Sequence, residues 1–192
     1  MGSGWRATQK ASRRADLLRA AASLFAERGF AAVSTVELGD AVGMSGPALY
    51  NYVRSKDELL QELLLSASER LVAGAREIVA DDVAPLDTLV SLIGFHIDFA
   101  TSEPDIIRIQ DRELAQLPDE INRRVRGLQR EYVQMWDAVL ALHRRDLDEA
   151  ERQVRLLGTF GLLNSTPYSA PGTQADAGRI LGDMALRSLI EG

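Results

Sequence analysis

Apolar residues recur along the chain at spacings of three and four, and no segment alternates convincingly enough to be read as a strand. That period is helical. Leu17, Leu18, Ala21, Ala22, Leu24 and Phe25 share one face of a helix predicted over roughly 14–29, with Gly29 as its stop. Ser34-Thr35-Val36-Glu37 has the capping-box spacing and predicts a short helix through Val36, Leu38, Ala41 and Val42, ended by Gly43. Ser45 is expected to cap a third helix, with Pro47 in its first turn, where a missing N–H is harmless. Leu49 and Val53, four apart, would face the core. Ser55-Lys56-Asp57-Glu58 reads as a second capping box, opening a long helix whose apolar face is Leu60, Leu63, Leu64, Ala67 and Leu71.

The remainder predicts five more helices, near 86–101, 105–115, 119–144, 149–165 and 174–190. Pro85, Pro104 and Pro118 stand at starts, and Asp148 with Glu151 makes the N-terminal box of the eighth helix. The break from Thr166 to Gly172 reads as a loop. The fold class is therefore all-α. The last two helices carry small-residue stripes: Val154, Gly158, Gly161 and Ser165 on one, Ala175, Gly178, Gly182 and Ala185 on the other. A mid-helix glycine costs about 1 kcal/mol against alanine, so the stripes need a reason. Close helix packing supplies one, either across a two-fold dimer axis or within one subunit, and the dimer is the reading favoured here.

Charge changes the picture. The net charge is −6, yet residues 1–60 hold eight basic and six acidic side chains, leaving −8 on the rest. The first fourteen residues contain Arg6, Lys10, Arg13 and Arg14 and no acid. A basic end on an acidic body can meet a polyanion with that end only, although a solvated arm has the same composition. No run of eighteen apolar residues occurs, so no membrane span is expected. Cysteine is absent, which removes disulfides and thiolate metal sites and fits a reducing cytoplasm.

The second and third helices, joined through Val42-Gly43-Met44-Ser45, form a helix-turn-helix pattern, whose second helix enters the DNA major groove N-terminus first. Ser45, Gly46, Pro47 and Ala48 are small enough for close approach. Ala48 suits a thymine methyl and Asn51 an amide contact to a base. Tyr50, Tyr52, Thr35 and Lys56 suit phosphates. Each residue taken singly also fits ordinary packing or capping.

The series Leu24-Phe25-Ala26-Glu27-Arg28-Gly29-Phe30, Ser34-Thr35-Val36-Glu37-Leu38-Gly39-Asp40-Ala41-Val42-Gly43-Met44-Ser45, Ala48-Leu49-Tyr50-Asn51-Tyr52-Val53 and Ser55-Lys56-Asp57-Glu58-Leu59-Leu60 resembles the DNA-binding domain of the tetracycline-repressor (TetR) family over about a quarter of the chain. The resemblance implies an all-helical homodimer: an N-terminal three-helix DNA-binding domain (residues 1–54) on a C-terminal helical ligand-binding and dimerisation domain (55–192), released from a palindromic operator by a small molecule. Three places depart from the family's usual pattern: Leu38-Gly39, where alanine often stands second; Gly46-Pro47; and Val53-Arg54. Gly39 is expected to weaken its helix by up to ~1 kcal/mol.

Ile109-Gln110-Asp111-Arg112-Glu113-Leu114, the run from Arg123 to Val133, and Gly161 to Tyr168 look like a lipid-catabolism subgroup whose effectors are acyl-CoA thioesters. That resemblance implies arginines, Arg108 and Arg112 among them, for the nucleotide phosphates. Phe95, Phe99, Tyr132, Met135, Trp136, Phe160 and Asn164 would line an acyl cavity. The plainer alternatives are an apolar core and an arginine face paired with Asp111, Glu113, Asp119, Glu120 and Glu131. An effector without coenzyme A and a helical adaptor that binds no DNA are the other readings. Catalysis is not expected: His96 and His143 are the only histidines, and no nucleophile elbow or phosphate-binding glycine loop occurs. His96 reads as a buried or pocket polar residue. No cofactor and no metal are expected.

Overall fold

The chain is seen in a computed structural model that describes residues 3–81, 83–168 and 174–191. The loop positions 169–172, and the side chain of Ala175, lie outside the described residues. Helices account for the described elements: α1 (Ser3–Arg28), α2 (Thr35–Ala41), α3 (Gly46–Leu49), α4 (Lys56–Ala80), α5 (Pro85–Ser102), α6 (Pro104–Glu113), α7 (Asp119–His143), α8 (Glu149–Leu163) and α9 (Gln174–Ile190). Two 3₁₀ turns, Leu114–Gln116 and Thr166–Tyr168, follow α6 and α8. None of these helices is long and apolar enough to cross a membrane.

α1 begins eleven residues before the start expected from its apolar face. Residues 7–13 are exposed, so no core contact marks them, but no proline stands between Ser3 and Arg28 and the one glycine, Gly4, falls in the first turn. Gly29, at φ +84°, turns the chain out. The box at the start of α2 is complete: Glu37 N donates to Ser34 Oγ at 3.2 Å, and Ser34 N donates to Glu37 Oε2 at 2.8 Å. The two other expected caps differ. Ser45 makes no side-chain cap, its carbonyl instead accepting from Ala48 N and Leu49 N. Ser55 Oγ accepts from Glu58 N at 3.1 Å, but the Glu58 carboxylate reaches one residue further back, to Arg54 N at 2.6 Å.

Gly39 corrects an expectation. A Cβ there would lie 2.7 Å from the Met44 carbonyl oxygen, so glycine is what lets the turn fold back onto α2. Met44 N donates to Gly39 O at 2.8 Å, closing that turn, and Gly43 supplies the positive φ of +65°.

The buried residues form two clusters. The first gathers Leu17 and Phe25 of α1, Leu38 of α2, Leu49 of α3, Leu59 and Leu64 of α4, Ile109 of α6 and Val125 of α7. The second gathers Val72 of α4, Leu89 and Leu92 of α5, Trp136 and Leu140 of α7, Leu156 and Leu163 of α8, and Leu189 of α9. α4 and α7 run through both and pack on each other, so the N-terminal helices rest on the body rather than on a core of their own.

The small-residue stripes part company. On α9, a Cβ at Gly178 or Gly182 would come within 3.0 Å or 2.7 Å of Ile97, so this stripe seats α9 on α5 of the same chain and not on a second copy. On α8, Gly158 and Gly161 have nothing within 4 Å of a would-be Cβ, and Val154 beside them is 71% exposed.

Candidate functional site

The first candidate surface is the outer side of the helix-turn-helix. Gly43 and Gly39 set the turn, and buried Leu38, Leu49 and Val53 anchor it. Ser45, Pro47, Tyr50 and Asn51 are exposed, whereas Thr35, Gly46, Ala48, Tyr52 and Lys56 are half-buried. The side-chain hydroxyls of Thr35, Ser45, Tyr50 and Tyr52 and the amide of Asn51 make no hydrogen bond among the described residues. These groups are free to be satisfied by an external partner. Tyr52 also packs against the first core cluster. Lys56 is engaged otherwise than expected: its Nζ donates to Phe30 O at 2.7 Å and Val33 O at 2.8 Å, and sits 4.2 Å from the centre of the Phe30 ring. It is a clamp on the α1–α2 corner. Nearby Glu37 is held at a pKa of about 2, first by the Ser34 backbone N–H and then by the Ser34 hydroxyl and Arg28.

The second candidate is a cavity of about 590 Å³ between α4, α5, α6, α7 and α8. Leu71, Phe99, Ile107, Leu128, Val133 and Phe160 supply much of its apolar wall. Leu157, also on the wall, is 65% exposed, so the cavity reaches the outer face of α8. Among the wall's polar members are Ser68, His96, Tyr132 and Asn164 together with Gln110, Asp111, Arg112, Arg126, Gln129 and Arg130. His96 and Tyr132 are buried, and the three arginines are exposed, so the charged part of the wall is its outer part.

His96 Nε2 lies 3.0 Å from Asn164 Oδ1, and His96 Nδ1 lies 3.1 Å from Tyr132 Oη. Burial holds the imidazole neutral, with its pKa lowered to about 4 against the raising pull of Asn164. Burial also raises the Tyr132 phenol. Around this relay pack Phe99, Trp136 and Phe160, with ring centres 6.2, 6.3 and 5.4 Å from that of His96.

The arginines are not paired as a solvated face would be. Of the arginines on α6 and α7, Arg108 pairs with Asp105 and Arg124 with Glu69. Arg123 and Arg126 bond to Asp119 O and Asn122 Oδ1, and Arg130 has no partner among the described residues. Three of the five carboxylates expected to neutralise them work elsewhere: Glu131 pairs with Arg76, Asp111 accepts from Tyr168 Oη, and Glu113 accepts from Phe30 N and Gln116. Arg112 faces two ways. It lines the cavity, and its Nη2 donates to Phe25 O at 3.3 Å and to Ala26 O, at the C-terminal end of α1. With Glu113 Oε1 accepting from Phe30 N at 3.0 Å, the end of α6 grips the α1–α2 corner at two points.

Of the residues expected to contact a ligand, Phe99, Arg112, Tyr132, Phe160 and Asn164 are on the wall. The other four are placed elsewhere. Phe95 fills the notch left by Gly74, where a Cβ would meet its ring at 2.3 Å. Arg108 turns toward Pro167 O and Asp105. Met135 packs on the second core cluster, and Trp136 is wholly buried within it. Sequence reasoning assigned none of Ser68, Gln110, Gln129, Leu71 and Val133 to the site, and left Arg126 and Arg130 within the run from Arg123 to Val133 without a place in it. The signal for α7 was its period: 126, 129, 130 and 133 lie on one helical face. No cluster of His or carboxylates suited to a metal occurs among the described residues.

The geometry defines a class of protein: a helix-turn-helix head held against a helical body that contains a cavity. Residues 17–63 match the family described as bacterial regulatory proteins, tetR family, and residues 82–189 match the tetracyclin repressor-like C-terminal domain. The chain belongs to the TetR family. It is 31% identical over 132 residues to the HTH-type transcriptional repressor KstR2 of Rhodococcus jostii strain RHA1, covering 68% of this chain and 65% of that protein. The match to KstR2 of Mycobacterium tuberculosis strain H37Rv is 40% over 86 residues, 45% of this chain and 43% of that one. The chain thus aligns with less than two thirds of these relatives' own length. The structure described as that of the ketosteroid transcriptional regulator KstR2 of M. tuberculosis superposes with a TM-score of 0.81 at 25% identity, covering 94% and 96% of the two chains. AibR in complex with isovaleryl coenzyme A and operator DNA gives a TM-score of 0.78 at 18% identity, covering 93% and 98%, a likeness of fold alone.

Proposed function

We propose that this protein is a cytoplasmic DNA-binding transcriptional repressor, released from a palindromic operator by an acyl-CoA effector. Residues 1–54 form the DNA-binding unit and 55–192 the effector-binding and dimerisation unit. The observation that carries the reading is Arg112, which belongs to the cavity wall and to the seat of α1 at once. Arg126 and Arg130 share that wall without a carboxylate partner. Three such guanidinium groups beside an apolar chamber match a thioester that joins nucleotide phosphates to a hydrocarbon. AibR demonstrates that the fold can hold an acyl-CoA.

In this reading Ser45, Gly46, Pro47, Ala48 and Asn51 enter the major groove, while Thr35, Tyr50 and Tyr52 meet the backbone. Val154 and Leu157 of α8 and Ile180 and Met184 of α9 are exposed apolar residues that a second copy covers. Two copies set their α3 helices about 34 Å apart, one helical turn of DNA. An effector phosphate competes with the Phe25 and Ala26 carbonyls for Arg112, which frees the α1–α2 corner and alters that separation. A coupling of about 1–3 kcal/mol suffices.

The test is operator affinity, by fluorescence anisotropy on the chain's own promoter, with and without a saturating long-chain acyl-CoA. A drop of tenfold or more is expected, and Arg112→Gln should cut it below threefold. An operator affinity that no acyl-CoA alters would end the reading. An Arg112→Gln protein that responds in full would remove Arg112 from the coupling.

A further inference from the structure

The His96–Tyr132–Asn164 relay is more than an acyl chain requires. It stands at the inner part of the wall among Phe99, Phe160 and aliphatic side chains, where the other buried polar group, Ser68, already spends its hydroxyl proton on Leu64 O at 2.9 Å. Asn164 Oδ1 can only accept, so His96 Nε2 donates to it across 3.0 Å; the neutral ring then leaves Nδ1 bare to accept the Tyr132 hydroxyl proton across 3.1 Å. The three residues satisfy one another along this line but not completely. Asn164 Nδ2, on the cavity wall, has no hydrogen-bond partner among the described residues. Turning the amide over reverses each donor in the relay and makes the Tyr132 hydroxyl the free donor instead, so either arrangement presents an unpaired donor to the chamber. A second donor of the same cluster, Trp136 Nε1, is buried and approaches the Tyr132 hydroxyl without completing a hydrogen bond, its ring centre 5.9 Å from that of Tyr132 and 5.0 Å from that of Phe160.

A saturated hydrocarbon seated here would strip water from the relay's donor and return nothing. A ligand oxygen would complete it. Sites that hydrogen-bond a ligand oxygen reject the analogue lacking it far more strongly than apolar pockets reject a missing methylene. We propose that the His96–Tyr132–Asn164 relay selects an effector whose acyl group carries a carbonyl or hydroxyl oxygen on its carbon skeleton, in addition to the thioester carbonyl, and disfavours the saturated acyl group of the same size. The inference rests on the acyl-CoA reading above and specifies its ligand.

The experiment is calorimetric titration of the full chain with decanoyl-CoA and with the isomeric mono-oxodecanoyl-CoA thioesters. At least one isomer should bind tenfold or more tightly than decanoyl-CoA. In Asn164→Leu, and in Asn164→Asp, which keeps an acceptor for His96 Nε2 but has no amide donor, that preference should fall below threefold, while in Asn164→Leu decanoyl-CoA binding holds or improves. Thermal unfolding reports whether each variant is folded, and Asn164→Asp decides the matter if Asn164→Leu is not. Equal binding of all the thioesters leaves the acyl-CoA reading intact and overturns this one, as does a preference that survives in the variants. If none of the thioesters binds, both fall together.

Discussion

The helix-turn-helix face and the cavity both hold polar groups with unmet hydrogen-bonding capacity, but in opposite surroundings. Ser45, Tyr50 and Asn51 stand in open solvent, where water satisfies them and folding loses nothing. His96 and Tyr132 are buried, and their polarity is tolerable only because the relay with Asn164 pairs most of it. Side chains on the face can therefore change function without touching stability. Side chains of the inner cavity cannot, because the same atoms hold α5, α7 and the end of α8 together.

The pH dependence of stability is the largest expected effect and belongs to the cavity alone. His96 titrates near 6.5 when unfolded and at about 4 when folded, so the unfolded chain binds the extra proton. Stability is flat above pH 6.5 and is lost as the pH falls toward 4, by roughly 2–3 kcal/mol at pH 4.5. Glu37 and Asp146, both held at about 2, and Glu58, held below its ordinary value, add their own loss once the pH enters the ordinary carboxylate range, so the span from 6.5 to 5.5 isolates His96. Urea unfolding at pH 7, 5.5 and 4.5 measures the slope. His96→Gln should be less stable at pH 7 and flatter below it; a variant with the parent's slope would assign the proton elsewhere.

The head is not free of constraint, but its constraint lies in backbone rather than side chains. Gly39→Ala places a Cβ 2.7 Å from Met44 O, a contact that backbone must yield to relieve. The expected cost is about 1–3 kcal/mol, less up to ~1 kcal/mol from alanine's better helix propensity. Thermal unfolding should show the loss, operator affinity should fall with it, and acyl-CoA affinity should not change. An unaltered melting temperature would mean that the turn moves aside at little cost.

The same division explains what the sequence disclosed. The head was legible because its signals are contiguous: Ser34 and Glu37, Gly43, Pro47 and the Leu49–Val53 pair act through neighbours a few positions away, and the resemblance falls on that stretch. Gly39 was misread because its reason is the Met44 carbonyl, a close approach that helix propensity does not contain. The cavity draws on five helices, with Ser68 and Asn164 at its extremes, so no local pattern separates wall from core. Phe95 and Trp136 look like wall in sequence and are core in space; Arg126 and Arg130 look like surface and are wall. Lys56 stands in the position of a phosphate contact, and only the fold places Phe30 O and Val33 O under its ammonium group.

The smallest expected effect tests the solvent side of the contrast. Tyr50 is 56% exposed, and its hydroxyl bonds to nothing among the described residues. Tyr50→Phe should leave the unfolding free energy unchanged within experimental error while weakening operator binding about threefold, the worth of roughly one neutral hydrogen bond. Because the lost group carries no charge, the slope of log affinity against log salt should stay as it was. Lys56→Met is the counterpart. It strips the charged donor from two carbonyls of the α1–α2 corner, so it should lower stability before it alters any salt dependence. If Tyr50→Phe instead melts early with its operator affinity intact, that hydroxyl serves the fold, and the contrast between an unconstrained face and a constrained cavity fails at its simplest point.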